Sequence, residues 1–272
     1  MEVVVKPLWP SEPPRGVGYG SLLRVERGIA RRAMVIDGEP HLAEAAWQGD
    51  RVHLRGSHER AVERLRFMLA LDDDLAPFHR AFRSDPLLGR VMRGLPKLRV
   101  LRVPDPFEAL AWGVIFQLID VQRAGQIAWA FTRAHGVQHE SGLWTAPPRA
   151  AFENAAALEA CGLAPTQART LARVARVPIE RAGTVSGVGE WTLAQLQLFG
   201  EGRYDVALAR DVGIRNAYAR MIGVRTGSVS EDAFREALDR YAPWQGLAAQ
   251  YMIAIGWRSG ARYESVHALR PR

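Results

Sequence analysis

The 272-residue chain holds a single cysteine, Cys161, so no intramolecular disulfide and no all-cysteine metal or iron-sulfur site can form within it. Lysine is almost missing as well: Lys6 and Lys97 are the only two, and the long remainder of the chain has none. Chemistry that relies on a lysine amine after residue 97 is thereby excluded. The chain has no apolar run long enough to cross a bilayer, and no charged segment followed by an apolar stretch opens it, because Met1–Lys6 passes at once into a Pro-rich loop. With reduced cysteine, these absences predict an intracellular, cytoplasmic protein with no membrane partner.

What is present is ordinary for a globular protein: 48% hydrophobic and 24% charged residues, enough to bury a substantial core. The net charge of +7 makes a polyanion a partner to consider. Arginine supplies nearly all of it, and arginine forks match phosphate geometry, although an arginine- and alanine-rich bias also arises from genome composition. Histidines do not build a metal site. His135 and His139 are four apart, but Gly136 interrupts the helix between them and only Glu140 lies near.

The first 70 or so residues alternate weakly with period two. Val3–Val5, Gly28–Ile36, His41–Trp47 and Arg51–Leu54 read as an antiparallel meander with turns at Asp37-Gly38 and Gly49-Asp50, and His58–Leu71 reads as a helix laid across it. From Leu75 onward there are only amphipathic runs, cut by Pro and Gly. They predict helices at Leu75–Phe82, Pro86–Arg93, Pro106–Ala134, Pro148–Ala160, Pro165–Val174, Glu190–Phe199, Asp211–Ile222, Ser230–Tyr241 and Trp244–Ser259. Pro106–Ala134, apolar around much of its circumference through Leu118 and Ile119, is the expected central helix. The fold class is mostly α with an N-terminal α+β module. It divides into residues 1–72 and a helical region, 73–272, of two subdomains with a cleft between them.

Gly187-Val188-Gly189 stands immediately before the helix that starts at Glu190-Trp191-Thr192. Alternate glycines open backbone conformations closed to other residues, and let a phosphate approach the amides of a helix start. A tight interhelical turn chosen on steric grounds has the same pattern. Asp211 opens a following helix, where it could simply cap Ile214; beside it Gly213 removes bulk, and Arg210 and Arg215 bring positive charge. A carboxylate so placed could also stabilise positive charge developing at an anomeric carbon, or orient water for attack there.

Gly187-Val-Gly-Glu-Trp-Thr192, its spacing to Asp211-Val-Gly-Ile-Arg-Asn-Ala217, and Tyr241-Ala-Pro-Trp244 with Ala248–Met252 and Trp257 resemble the helix-hairpin-helix DNA glycosylases, and within them the DNA-3-methyladenine glycosylase II branch. Asp73-Asp-Leu75, Asp85–Leu88 and Pro104–Leu110 with Gln117 extend the resemblance upstream. It implies the helix-hairpin-helix DNA glycosylase fold, with the hairpin near 181–199, and Asp211 as the catalytic carboxylate. Gly187, Gly189, Thr192 and Gln117 fall to DNA binding; Arg210 and Arg215, chosen for their charge near the hairpin, are the expected phosphate contacts, with surface solvation as the alternative. Trp191 takes the place of the Schiff-base lysine of lyase-active members. It further implies Na+ or K+ on the carbonyls of Gly187 and Gly189 with no other cofactor, and a monomer acting on double-stranded DNA that contains a damaged base. The chain departs from the family at Val185-Ser186, where Leu-Pro is usual, and in a short segment from Arg173 to Val185 that predicts a stunted first hairpin helix.

An enzyme that works on a base must take it out of the stack and hold it against aromatic walls. Trp112, Phe116, Trp191, Trp244, Tyr251 and Trp257 are the candidates, with core packing as the alternative for each. The expected activity is hydrolysis of the N-glycosidic bond of alkylated purines without lyase chemistry. The alternatives are another damaged base on the same scaffold, and a non-catalytic DNA-binding protein that uses the hairpin alone.

Overall fold

The computed structural model describes residues 1–14, 22–117 and 120–258, with backbone alone for 255–258. Leu118, Ile119 and the side chain of Trp257 therefore lie outside the described residues. The N-terminal meander forms a five-stranded antiparallel sheet: β1 (Glu2–Val5), β2 (Arg24–Glu26), β3 (Ile29–Ile36), β4 (Glu39–Gln48) and β5 (Arg51–Gly56), in the order β1-β5-β4-β3-β2. The β3–β4 hairpin closes with Ile36 opposite Glu39 around Asp37 and Gly38, both at positive φ, a geometry matched to strand twist. Helix α1 (Glu59–Met68) starts at His58, whose ring accepts from the Arg60 amide, and buries Ala61, Val62, Leu65 and Met68 on the sheet. Strand β2 has no counterpart in the sequence reading, since three residues carry no period.

Among the described residues ten helices follow: α2 (Ala76–Phe82), α3 (Leu88–Gly94), α4 (Pro106–Phe116), α5 (Val121–His135), α6 (Ala155–Ala160), α7 (Pro165–Val174), α8 (Glu190–Gln195), α9 (Val212–Met221), α10 (Glu231–Asp239) and α11 (Gln245–Arg258). Short 3-10 segments occupy Arg149–Glu153 and Ile179–Thr184, and Leu196–Gly200 continues α8 as a π turn. The expected single helix over Pro106–Ala134 is two. Gln117 leaves α4 with ψ 140°, and Asp120 starts α5 by accepting from the Arg123 amide, so the capping carboxylate ends what the apolar pattern carries through. Asn154 divides Pro148–Ala160 in the same way, its side chain accepting from Ala157.

Helix α4 is buried from Phe107 to Phe116 and lies at the centre of one apolar cluster with α5, α6 and α7. A second cluster gathers α2, α3, α9, α10 and α11, and a third lies under the sheet. Gly200 permits α4 and the end of the α8 segment to meet: a Cβ there would stand 2.8 Å from the Ala109 Cβ. Sheet and bundle are joined by charge as well. Arg32 of β3 reaches both oxygens of Glu108 on α4, at 2.7 and 2.9 Å, with Arg32 only 1% exposed. No described helix is long and apolar enough to cross a membrane.

Candidate active site and hairpin

The site begins with two helix starts. The short segment before the glycine turn is a 3-10 turn, Ile179–Thr184, in place of a full first hairpin helix. It ends in Val185, and the Val188 amide returns to the Val185 carbonyl at 3.0 Å. Gly187 adopts φ +99°, and an added Cβ would lie 2.3 Å from Thr170 Oγ1 on α7. Both its left-handed backbone and the approach of α7 therefore demand glycine. Thr170 also donates to the Ser186 carbonyl at 3.2 Å, fastening the turn to α7. Gly189 precedes α8 as its cap residue, without a side chain to cover the amides of the first turn.

Asp211 is the cap residue of α9. Its Oδ1 accepts from the Ile214 amide at 2.9 Å, and its Oδ2 accepts from Trp191 Nε1 at 3.0 Å. The capping role and the proximity to Trp191 coexist because the two oxygens divide the work. Each keeps lone-pair capacity, the carboxylate having about four acceptor sites. Trp191 sits in the first turn of α8, half-buried against the α4 cluster, so its indole spans from the hairpin to the carboxylate.

The remaining residues named from sequence separate. Thr192 is 1% exposed and donates to Gln117 Oε1 at 3.0 Å, which ties α8 to the end of α4 inside the protein. The Gln117 carbonyl accepts from Gln167 at 2.7 Å. Arg210, placed by sequence on phosphate, is held by Glu231 at 3.0 Å and Glu190 at 3.4 Å, and these carboxylates, Glu231 first, push its guanidinium pKa further up. Arg235 joins the same acids at 2.7 and 3.1 Å. This four-residue network clamps the start of α8 to α10 across the residue before Asp211. Sequence reasoning missed its partners; only the i,i+4 spacing of Glu231 and Arg235 hinted at one pair. Arg215 leans back with a 3.4 Å contact to the Ala209 carbonyl.

Among the aromatics, Trp112 and Tyr251 are sealed in the interior at 1% and 0% exposure, and Phe116 is buried with them. Trp112 donates to Glu108 Oε1 at 3.1 Å and packs on Phe152. Tyr251 donates to the Leu98 carbonyl at 3.1 Å and meets His79 Nε2 at 2.9 Å; burial pushes its hydroxyl pKa well above normal. Trp244 is half-buried on Phe78 and Phe82, next to the cis Ala242-Pro243 bond. Among the described residues, the candidate aromatic bonded to Asp211 is Trp191.

A glycine turn at a helix start, followed across space by a capping carboxylate under an indole N–H, is the arrangement to set against known proteins. A 3-methyladenine DNA-glycosylase from Archaeoglobus fulgidus superimposes with a TM-score of 0.83 at 21% identity, over 95% of this chain and 99% of that one. The chain has the helix-hairpin-helix DNA glycosylase fold. An 8-oxoguanine glycosylase/lyase of Clostridium acetobutylicum, solved in complex with double-stranded DNA, shares the glycosylase fold with a TM-score of 0.70 at 18% identity, over 87% of each chain. In sequence, a DNA-3-methyladenine glycosylase of Bacillus subtilis (strain 168) is 38% identical over 93 residues, 33% of this chain. The match spans 31% of that relative's length. No family model matches the sequence.

Proposed function

We propose that this chain is a monofunctional DNA glycosylase that releases alkylated purines of the 3-methyladenine type from double-stranded DNA, acting as a monomer and leaving an abasic site. The observation that carries the reading is the Asp211 carboxylate, held on one oxygen by Ile214 and on the other by Trp191, beside an exposed glycine hairpin. The names of the Bacillus and Archaeoglobus relatives support the substrate class.

In this reading the hairpin amides take a phosphate, and the damaged nucleotide turns out of the stack toward Trp191. The bond from C1′ to the purine nitrogen breaks, and its electron pair leaves with the base. An alkylated purine already carries positive charge, so it departs neutral without an acid. Asp211 stabilises the charge that develops on the sugar, and the oxygen of a water adds to C1′ as that water's proton is lost. Preorganisation is the contribution of the two hydrogen bonds, which hold the carboxylate before the charge appears. A Na+ or K+ ion on the Gly187 and Gly189 carbonyls belongs to this proposal as a support for the turn. The Gly189 carbonyl already accepts from Leu193 at 3.0 Å and would use its second lone pair.

Lyase chemistry is not part of the proposal, since an indole stands at Trp191 and no lysine follows Lys97. Asp211→Asn is expected to slow release of 3-methyladenine by about 10²–10³-fold while damaged duplex still binds; equal excision by variant and parent would sink the assignment. Borohydride should trap no covalent adduct with DNA, and a trapped adduct would overturn the monofunctional reading. Assays across 3-methyladenine, 7-methylguanine, hypoxanthine and 1-methyladenine rank the lesions. A protein that binds through the hairpin alone would release none of them.

A further inference from the structure

We propose that the groove between α7 and the 3-10 turn Arg149–Glu153 is a second phosphate-binding site, which carries on the DNA strand gripped at the hairpin; it rests on the reading of that hairpin as a backbone grip. The groove has a volume of about 730 Å³ and is lined by Arg169, Arg173, Arg176, Glu153, Asn154 and otherwise alanine. Arg169 and Arg173 share one face of α7, at i and i+4, and Arg176 follows in the turn just past the helix end.

Their states differ. Arg176 is neutralised in place, with Nε 3.3 Å from Glu153 Oε2 and a further bond to the Glu153 carbonyl. Glu153 is the one carboxylate of the lining. Among the described residues, Arg169 and Arg173 have no carboxylate partner. Arg173 lays its Nε on the Arg169 carbonyl at 3.3 Å and lines the groove. Asn154 uses its side-chain oxygen to cap α6 through Ala157 and keeps its amide group for a ligand. Two exposed forks one turn apart, about 6 Å along the axis, over a floor of small side chains suit successive phosphates of a strand. The groove is open and its cations are exposed, which suits a polymer held at several points better than a small free anion.

Position links the groove to the hairpin. Thr170, which touches Gly187 and bonds Ser186, is the next residue after Arg169 and lies about 100° around the helix from it. A strand held by the hairpin amides is thus adjacent to the arginine face on the same rigid helix.

The test is the salt dependence of binding of the full chain to an undamaged duplex. Losing two phosphate contacts in Arg169→Ala/Arg173→Ala should lower the slope of log affinity against log salt by about 1.8, at about 0.9 for each phosphate. Arg176→Ala, already engaged by Glu153, should leave the slope as in the parent. Ethylation interference should lose phosphates distinct from those lost in a Gly187→Val variant. A parental slope in the double variant overturns the site, and so does an equal loss in Arg176→Ala, which would mean general surface charge. If the parent excises nothing, the glycosylase reading has failed while the slope still decides the groove.

Discussion

Among the described residues an indole N–H meets a carboxylate at two places, and the surroundings make them opposites. Trp112 donates to Glu108 at 3.1 Å and Trp191 donates to Asp211 at 3.0 Å. Glu108 is sealed at the junction of sheet and bundle, where Arg32 answers its charge and burial, the largest influence, pushes its carboxyl pKa up. Asp211 is half-buried, has no cation on its oxygens among the described residues, and stands beside an exposed turn. One pair completes a structural joint. The other has no cation where a substrate could supply one, so enclosure and counter-charge, rather than the hydrogen bond, separate the structural carboxylate from the one proposed to act on substrate.

The contrast predicts crossed outcomes for the two pairs. Glu108→Gln leaves the Arg32 guanidinium buried and unanswered, and should lower unfolding free energy by about 3–5 kcal/mol in a denaturant titration. Removing both charges in Arg32→Met/Glu108→Leu should recover most of that loss, because the desolvation penalty goes with them. Asp211→Asn should cost about 2.7–4 kcal/mol in the barrier to base release, a fall of about 10²–10³-fold, with the unfolding midpoint near the parent's because asparagine also caps a helix. A variant at Asp211 that chiefly unfolds the protein, or one at Glu108 that chiefly slows excision, would break the contrast.

The donors sharpen it further. Trp191→Phe keeps a ring and deletes the N–H, and should slow excision by the worth of a bond to a charged group, about 1.5–3 kcal/mol. Trp112→Phe should instead register in stability, by about 1–3 kcal/mol for a buried acceptor left short, with excision preserved in the folded fraction.

Much of this was legible before the structure, for local reasons. Asp105-Pro106, Ala164-Pro165 and Ser230 mark helix starts that α4, α7 and α10 adopt, and the Asp37-Gly38 turn sets the β3–β4 register. Asp211 stood out because its capping position and the glycine turn lie close in sequence. Breaks inside apolar runs were hidden, since burial hides the difference between one helix and two; Asp120 and Asn154 were the signals to read. Pairings across space were hidden too. Nothing near Arg210 announces Glu231, 21 residues away, and tryptophan suits a core as well as a pocket, so Trp112 stood among the pocket candidates while the glycine turn singled out Trp191.

The smallest effect expected concerns His79, stacked on Trp9 at 4.3 Å and bonded to Tyr251. Burial lowers its pKa from 6.5. The unfolded chain therefore binds a proton that the folded chain resists. This contribution to stability is full above pH 6.5 and is lost as pH falls through that value toward the lower folded pKa. Unfolding titrations of the parent and His79→Gln should diverge in that interval, and parallel curves would place the acid sensitivity elsewhere.

The bond from Arg32 to Glu108 has a consequence for how such a chain can vary. The cation belongs to the sheet and the anion to the innermost helix, 76 residues apart. A shorter protein of this fold that dispensed with the sheet would inherit a carboxylate inside an apolar helix with no counter-charge, only the Trp112 N–H, to answer it. Trimming at one end of the gene therefore requires a compensating change at Glu108, and the two segments are bound to be kept, or altered, as a pair.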